Sequence, residues 1–392
     1  MSTPASLDWI RRLVGVDTTS RDPNAPLIDL LAQGFREHGI EPVVFDAPQG
    51  GGKQGLVATV PAADGSTSGG VVISGHTDVV PVDGQDWTSD PFQVREADGR
   101  LYGRGTSDMK SYIGVAMATL PKLVAAELRE PVHFAFSYDE ELGCRGGDDI
   151  VAKIAELGLA PRAALVGEPT SMRVIRTHKS VNLFTATFTG VNAHSSLTAQ
   201  GVNAIEYAAE LVRHWRGVTD GWRTEGPFEE GYPLTYSTGG VNQFTGGTAV
   251  NIVPSKAVVV LEFRAVAAVD PQQVLADLQA VCDELRARMK QENEAADVEL
   301  VVDAMVPALA TGADEYAVGL AQRIGGIASD EKVTYGTEAG QFFAGGIPAV
   351  VCGPGDIAQA HTADEWVETS QVEACEAWFD ALVAELSGQE NR

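Results

Sequence analysis

The sequence predicts an α/β protein with a second, α+β unit inserted into it, on two observations. Short apolar runs bounded by Gly, Pro or polar clusters alternate with helical stretches through the first part of the chain and return near its end, the pattern of a largely buried sheet covered by helices. Between Val181 and about Val306 the texture changes to alternating strands flanking long helices. A chain of 392 residues exceeds one ordinary domain, so each part can have its own core.

Taken in order, apolar residues recur at helical spacing from Leu7 to His38 with a polar, proline-containing break around Thr18 to Pro26, which predicts two helices over one face of the sheet. Glu41 to Phe45, Gly55 to Val60, Val71 to Ser74, Val132 to Ser137, Ala163 to Val166 and Ile347 to Cys352 read as buried strands. Met109 to Leu128, Asp148 to Leu157 and Val372 to Leu386 read as helices. In the inserted stretch, strands are expected at Leu183 to Thr189 and Val258 to Arg264, and helices at Asn203 to Arg213 and Pro271 to Asn293. Asp220 to Gly231 reads as a polar, aromatic-bearing loop.

Composition narrows the function. The formal net charge of −26 argues against nucleic acid or an anionic membrane as partner, because phosphate binding needs clustered Lys and Arg. No stretch is long and apolar enough to cross a bilayer, and the N-terminus lacks a secretory pattern, so a cytoplasmic protein is expected. Cys144, Cys282, Cys352 and Cys375 are scattered without a CxxC pair, suggesting neither a disulfide framework nor a thiolate metal site.

Five local patterns carry chemistry. In Ser74-Gly75-His76-Thr77-Asp78 an apolar strand ends on a His, with an Asp two positions on that can orient its ring. Gly103-Arg104-Gly105-Thr106-Ser107-Asp108 delivers an acid to the start of a helix, where an ordinary N-cap is the competing explanation. Asp139-Glu140-Glu141 sets three acids directly after a strand, and like charges there repel unless something cationic sits among them. Glu168 follows another strand, and Gly353-Pro354-Gly355 leads through a loop to His361. Each alone reads more readily as an ordinary loop residue. Together, two His and several carboxylates at strand ends suit a dinuclear site for hard-to-borderline divalent cations, Zn²⁺ above all. No GxSxG elbow or HExxH motif points to a serine hydrolase or a thermolysin-like protease.

The order and local sequence of these motifs resemble the M20 family of metallopeptidases, and within it the acetylornithine deacetylase branch, over essentially the whole chain. The resemblance implies a zinc-exopeptidase-like catalytic domain from residues 1–179 and 308–392, with a lid and dimerisation domain at 180–307. It implies Asp108 as the ligand shared by two metal ions, His76 and Glu168 completing one position and Glu141 and His361 the other. Zn²⁺ is the expected metal, with Co²⁺ or Mn²⁺ as substitutes. Asp78 would orient His76, Glu140 would be the general base, and the Asp108-Met109 peptide would be cis. In the inserted unit, Gly190-Val191-Asn192-Ala193-His194 resembles the family's lid motif and makes His194 the oxyanion donor. Asn251 and Arg264 match substrate-binding positions, and a homodimer through the lid is implied.

Three flanking segments steer the choice within the family: Gly84 through Phe92, Arg176-Thr177-His178-Lys179, and Tyr335-Gly336-Thr337-Glu338-Ala339. Related succinyl-diaminopimelate desuccinylases carry an Arg-bearing segment where this chain has Thr337-Glu338-Ala339-Gly340-Gln341-Phe342. Losing that Arg removes a partner for a succinyl carboxylate, and Glu338 adds charge suited to an ornithine ammonium. The expected function is hydrolysis of a small N-acyl amino acid, N-acetylornithine first. Alternatives are a succinyl-diaminopimelate desuccinylase, another acyl-amino-acid hydrolase, a dipeptidase or carboxypeptidase of the same family, or, remotely, a non-catalytic amino-acid-binding protein. The chain departs from the branch pattern at Lys179-Ser180, where Lys-Gly is usual, and around Ser89-Asp90.

Overall fold

Runs such as Val71–His76 and Val132–Ser137 are apolar on both sides, so they form stable strands only where helices cover both faces. The computed structural model, which describes residues 4–388, has them at the centre of a sheet. The chain divides into two compact units: Met1–Thr177 with Leu309–Lys332 and Thr337–Arg392, and His178–Ala308 with Val333–Gly336.

The strands of the two main sheets are β1 (Val43–Asp46), β2 (Gln54–Val60), β3 (Val71–His76), β4 (Val132–Ser137), β5 (Ala163–Val166), β6 (Val181–Thr189), β7 (Thr238–Gly246), β8 (Lys256–Arg264), β9 (Asp297–Val306) and β10 (Ala349–Val351). The helices are α1 (Leu7–Val14), α2 (Ala25–Glu37), α3 (Lys110–Ala125), α4 (Arg145–Glu156), α5 (Ala204–Glu225), α6 (Pro271–Glu292), α7 (Tyr316–Arg323), α8 (Ala339–Ala344) and α9 (Thr369–Ser387).

In the first unit the sheet order is β1-β2-β4-β3-β5-β10. The strands β4, β3, β5 and β10 run parallel, and β2 and β1 add antiparallel at one edge. The strand period of two divides the side chains. Leu56, Ile73, Phe134, Leu165 and Val350 face the core shared with α1, α2, α3, α7 and α9, where Phe35 meets Phe134 edge-on at 5.1 Å. Helices α4 and α8 pack on the opposite face. Lys110, fully buried at the start of α3, donates to the Leu13 and Val16 carbonyls and so ties α3 to the end of α1.

The second unit has the antiparallel order β7-β8-β6-β9. Alternation in β6 and β8 puts Phe184, Ala186, Phe188, Val259, Leu261 and Phe263 on one face, and α5 and α6 bury it. Asn203 caps α5 by accepting from Ile205 and Glu206, and Asp270 caps α6 just before Pro271.

Two strands here differ from the sequence reading. The Gly-rich, largely exposed β7 carries no apolar alternation, and β9 loses its alternation at a bulge opposite Leu183/Phe184, where Asp303 bonds Thr185. Helix α5 continues through Glu225, so Asp220 to Glu225 is helical and not loop. Among the described residues the four cysteines are free and buried, and no helix is long and apolar enough to cross a membrane.

Candidate metal centre

The first unit gathers its functional side chains at the carboxyl ends of neighbouring parallel strands, where an open α/β sheet leaves a crevice. His76 is the last residue of β3 and is 1% exposed. Gly75 before it is closely packed: a Cβ there would lie 2.8 Å from the Met109 Cε, so the end of that side chain would have to shift. His76 Nδ1 faces the Asp78 main-chain oxygen at 3.0 Å, with the Asp78 carboxylate at 3.5 Å. The neutral ring that donates from Nδ1 turns its Nε2 lone pair toward Asp108 Oδ1 at 2.9 Å and Glu168 Oε1 at 3.5 Å. A lone pair facing carboxylates is repulsive unless a proton or a cation lies between them.

Asp78 also ties β3 to the acidic turn. Its Oδ2 accepts from the Ser20 hydroxyl at 2.7 Å, and its two oxygens accept the Glu140 and Glu141 backbone N–H groups at 3.1 and 3.3 Å. The turn itself, Asp139 to Cys144, includes positive φ at Asp139, Gly143 and Cys144, which swings consecutive acids in different directions. Asp139 turns away and pairs with Lys53 at 2.6 Å. Glu141 Oε2 faces His361 Nε2 at 3.1 Å, and Glu140 accepts from the Cys144 thiol.

Asp108 is not a helix cap: Met109 occupies the N-cap position of α3 and makes no capping bond. Its carboxylate splits instead, Oδ1 toward His76 and Oδ2 toward His361 at 3.1 Å. The Asp108-Met109 peptide is cis. Glu168 follows β5, where Gly167 lets the chain pass against the Tyr112 ring; a Cβ there would meet ring carbon at 2.1 Å. His361 comes from the loop after β10, half-exposed and at φ 62°.

Burial, reinforced by neighbouring carboxylates, pushes Glu140 up to about 8 and Glu141 up to about 7, and lifts Glu168 well above the carboxylate range. Hydrogen bonds to Asp108 and Glu141 raise His361 to about 10. Glu141 Oε1 is buried without a partner. Acids packed this closely favour positive charge among them. His76, Asp108 and Glu168 form one group able to hold a metal ion, and Asp108, Glu141 and His361 a second; within each, one ligand atom per residue lies within 4.8 Å of the others. The donors are oxygen and imidazole nitrogen, which fits divalent cations of intermediate hardness.

The remaining sequence-derived residues sit as follows. Glu338 is 1% exposed beside the start of α8, within electrostatic range of His76 and Asp78; burial pushes it up to about 7. It is enclosed and offers no open surface contact. In the second unit, His194 bridges Ile252, and the Ser195 N–H donates to the Asn251 carbonyl at 3.0 Å, so His194 and Asn251 are neighbours. The Ser196 N–H points at His194 Nδ1 at 3.3 Å, which leaves Nε2 as the protonated nitrogen of the neutral ring. Arg264, on β8, is engaged by Glu262.

Sequence reasoning missed Lys53, Ser20 and Glu365. Glu365 is fully buried, and its Oε1 accepts the Ser107 and Asp108 N–H groups at 2.8 and 3.1 Å. The available signal was an acid four residues after His361.

Residues 72–385 match Peptidase family M20/M25/M40. The acetylornithine deacetylase of Myxococcus xanthus is 34% identical over 390 residues, covering 98% of each chain. That of Proteus mirabilis (strain HI4320) is 31% identical over 389 residues, covering 97% of this chain and 96% of the relative. The M20 family metallo-carboxypeptidase from Sulfolobus solfataricus superposes with a TM-score of 0.73 at 18% identity, covering 97% of this chain and 99% of its own, a likeness of fold. The α/β fold class expected from sequence is thereby borne out, and with a family match over most of its length the chain belongs to Peptidase family M20/M25/M40.

Proposed function

We propose that the protein is a metal-dependent hydrolase that removes the acyl group from the nitrogen of a small amino acid, with N-acetylornithine, and hence a step of arginine synthesis in the cytoplasm, as the leading substrate. The observation that carries it is Asp108: its two oxygens each face a different His, with Glu168 beside one and Glu141 beside the other. Acetylornithine deacetylases aligned over nearly the full chain support the acyl-amino-acid class.

In this reading His76, Asp108 and Glu168 hold one cation, and Asp108, Glu141 and His361 the other. Two such cations, Zn²⁺ foremost with Co²⁺ or Mn²⁺ as substitutes, supply carbonyl polarisation and acidify water at neutral pH. Glu140 takes a proton from the attacking water and delivers it to the leaving amine; its elevated proton affinity suits a group that must hold that proton between the two events. Asp78 keeps Glu140 in place through the backbone bond and His76 in its Nδ1–H tautomer. His194 supplies an Nε2–H donor for the developing oxyanion, Asn251 and Arg264 bind the substrate with Arg264 released from Glu262 to grip the α-carboxylate, and the enclosed Glu338 biases the site toward a cationic side chain through its field rather than by contact. Residues 180–307 form the lid and homodimerisation domain of this scheme, and 1–179 with 308–392 the catalytic domain, although His178, Lys179, Ala308 and Val333–Gly336 fall with the second compact unit.

The test is release of free amine from N-acetylornithine, N-succinyl-diaminopimelate, several N-acetyl amino acids and dipeptides, with and without chelator, for wild type and Glu140→Ala. Preference for acetylornithine, lost with chelator and in the variant, supports the proposal. Metal-dependent turnover of another substrate keeps the chemistry and replaces the substrate; turnover indifferent to chelator overturns both.

A further inference from the structure

The two halves of the metal centre are supported differently. The His76–Glu168 half rests on the ends of β3 and β5, with His76 braced by the Asp78 carbonyl. His361 has no strand beneath it; it sits in a loop at φ 62° with its side chain 48% exposed. What holds it is a chain of polar contacts running back to Asp108.

Glu365 Oε1 accepts the Ser107 and Asp108 N–H groups. Glu365 Oε2 accepts from Arg104 Nη1 at 2.6 Å, both side chains being 1% exposed. Arg104 Nη2 donates to Gln85 Oε1 at 2.6 Å, and Gln85 Nε2 donates to the His361 carbonyl at 3.0 Å. Trp87 steadies the same hub: its Nε1–H also donates to Gln85 Oε1 at 3.0 Å, and its ring lies under Arg104. The Asp364 carboxylate accepts the Thr88 N–H and hydroxyl at 3.0 and 2.9 Å, closing the loop against the same segment. A guanidinium is needed at Arg104, because two of its nitrogens reach two acceptors in fixed directions, which an ammonium does not do.

We infer that the buried Arg104–Glu365 pair, acting through Gln85, is a positioning device that sets the affinity of the second cation position, the one formed by Asp108, Glu141 and His361, more than that of the first, which it reaches only through the Asp108 N–H. The inference rests on the metal-centre reading above. Arg104, Glu365 and Gln85 are positioning residues; none of them is a ligand. A partner beyond the ligands tunes metal affinity by ~10–100-fold, and that is the size expected here for the second ion.

The experiment measures Zn²⁺ per chain by elemental analysis and two Zn²⁺ affinities by chelator competition on the full-length protein, with Co²⁺ absorption spectra as an independent signature of each position. Gln85→Ala removes the link to His361 and keeps the Arg104–Glu365 contact itself, while taking one acceptor from Arg104 Nη2 and Trp87 Nε1. Arg104→Met with Glu365→Gln removes the charge of both partners together while keeping an oxygen for the Ser107 and Asp108 N–H groups. Both variants are expected to hold the first ion with near wild-type affinity and the second ~10–100-fold more weakly, with the Co²⁺ spectrum of the first position unchanged and the second filled only at excess metal. Equal weakening of both ions, or an unchanged second ion in Gln85→Ala, overturns the inference while leaving the metal centre standing. A wild type that takes up fewer than two ions overturns the metal-centre reading and this inference with it.

Discussion

Asp78→Asn isolates one carboxylate that serves the site from behind. Oδ1 accepts the Glu140 N–H at 3.1 Å, and Oδ2 accepts the Ser20 hydroxyl at 2.7 Å and the Glu141 N–H at 3.3 Å. All three partners donate, and Asp78 is fully buried. An amide has one acceptor oxygen, so whichever way it turns, its NH₂ faces a backbone N–H that cannot reverse. The Ser20 hydroxyl can rotate to accept; the Glu140 or Glu141 N–H cannot. One buried donor left unsatisfied costs about 1–3 kcal/mol. The orphaned N–H belongs to the turn that carries Glu140, and a displacement of the order of 1 Å in a catalytic group costs about 10²-fold in rate. The expected outcome is therefore roughly 1–3 kcal/mol lost from the unfolding free energy of chelator-treated protein, and a fall in kcat of about 10²-fold with KM little changed. Chelation removes the linkage between metal binding and folding, so the stability loss is read on its own. A variant with wild-type kcat would refute the idea that this carboxylate positions the acidic turn.

His194→Ala should lower kcat by about 10²–10³-fold, the scale of a lost oxyanion donor, with metal content unchanged; an effect confined to KM would remove His194 from that role. His133 donates to the Gly69 carbonyl at 2.8 Å and faces the Thr59 hydroxyl at 2.9 Å, and burial lowers its pKa below the usual value. The unfolded chain then binds the proton more readily than the folded one, so stability is full above about 6.5 and falls as pH drops through that value toward the folded pKa. His133→Gln should flatten that slope in thermal melts between about pH 7 and 5, and an unchanged slope would contradict the assignment. Phe134→Ala, emptying a site packed against Phe35 and Phe136, should cost about 3–5 kcal/mol in denaturant unfolding; a loss below about 1 kcal/mol would mean the sheet face is not packed as described.

The central sheet was legible where its strands are buried on both faces and its helices amphipathic or apolar, so Val132–Ser137 and Ala163–Val166 emerge with their bounds unchanged, whereas the edge strand β1, expected to be buried from Glu41 to Phe45, is largely exposed because only β2 pairs with it. Strands β7 and β9 were not legible: one takes its stability from pairing along β8 with little side-chain burial, and the other has its alternation broken by a bulge. His76, Asp108, Glu140, Glu141, Glu168 and His361 each pass alone for an ordinary loop or cap residue, and stand out only together, as two His and several acids gathered past strand ends in the order of the family's motifs. Their supports do not. Glu365, Arg104 and Lys53 look like surface charges in a linear sequence, and their burial depends on contacts such as Arg104–Glu365 between residues far apart in the chain. Asp139, in the same acidic run, turns to Lys53 through a left-handed φ that no residue spacing announces.

The most direct test of the account is X-ray anomalous scattering at the zinc edge from crystals of the zinc-loaded protein. Two peaks are predicted, one between His76, Asp108 and Glu168 and one between Asp108, Glu141 and His361, about 3.5–4 Å apart with Asp108 between them. A single peak, or peaks that leave the Asp108 carboxylate uncoordinated, would contradict it.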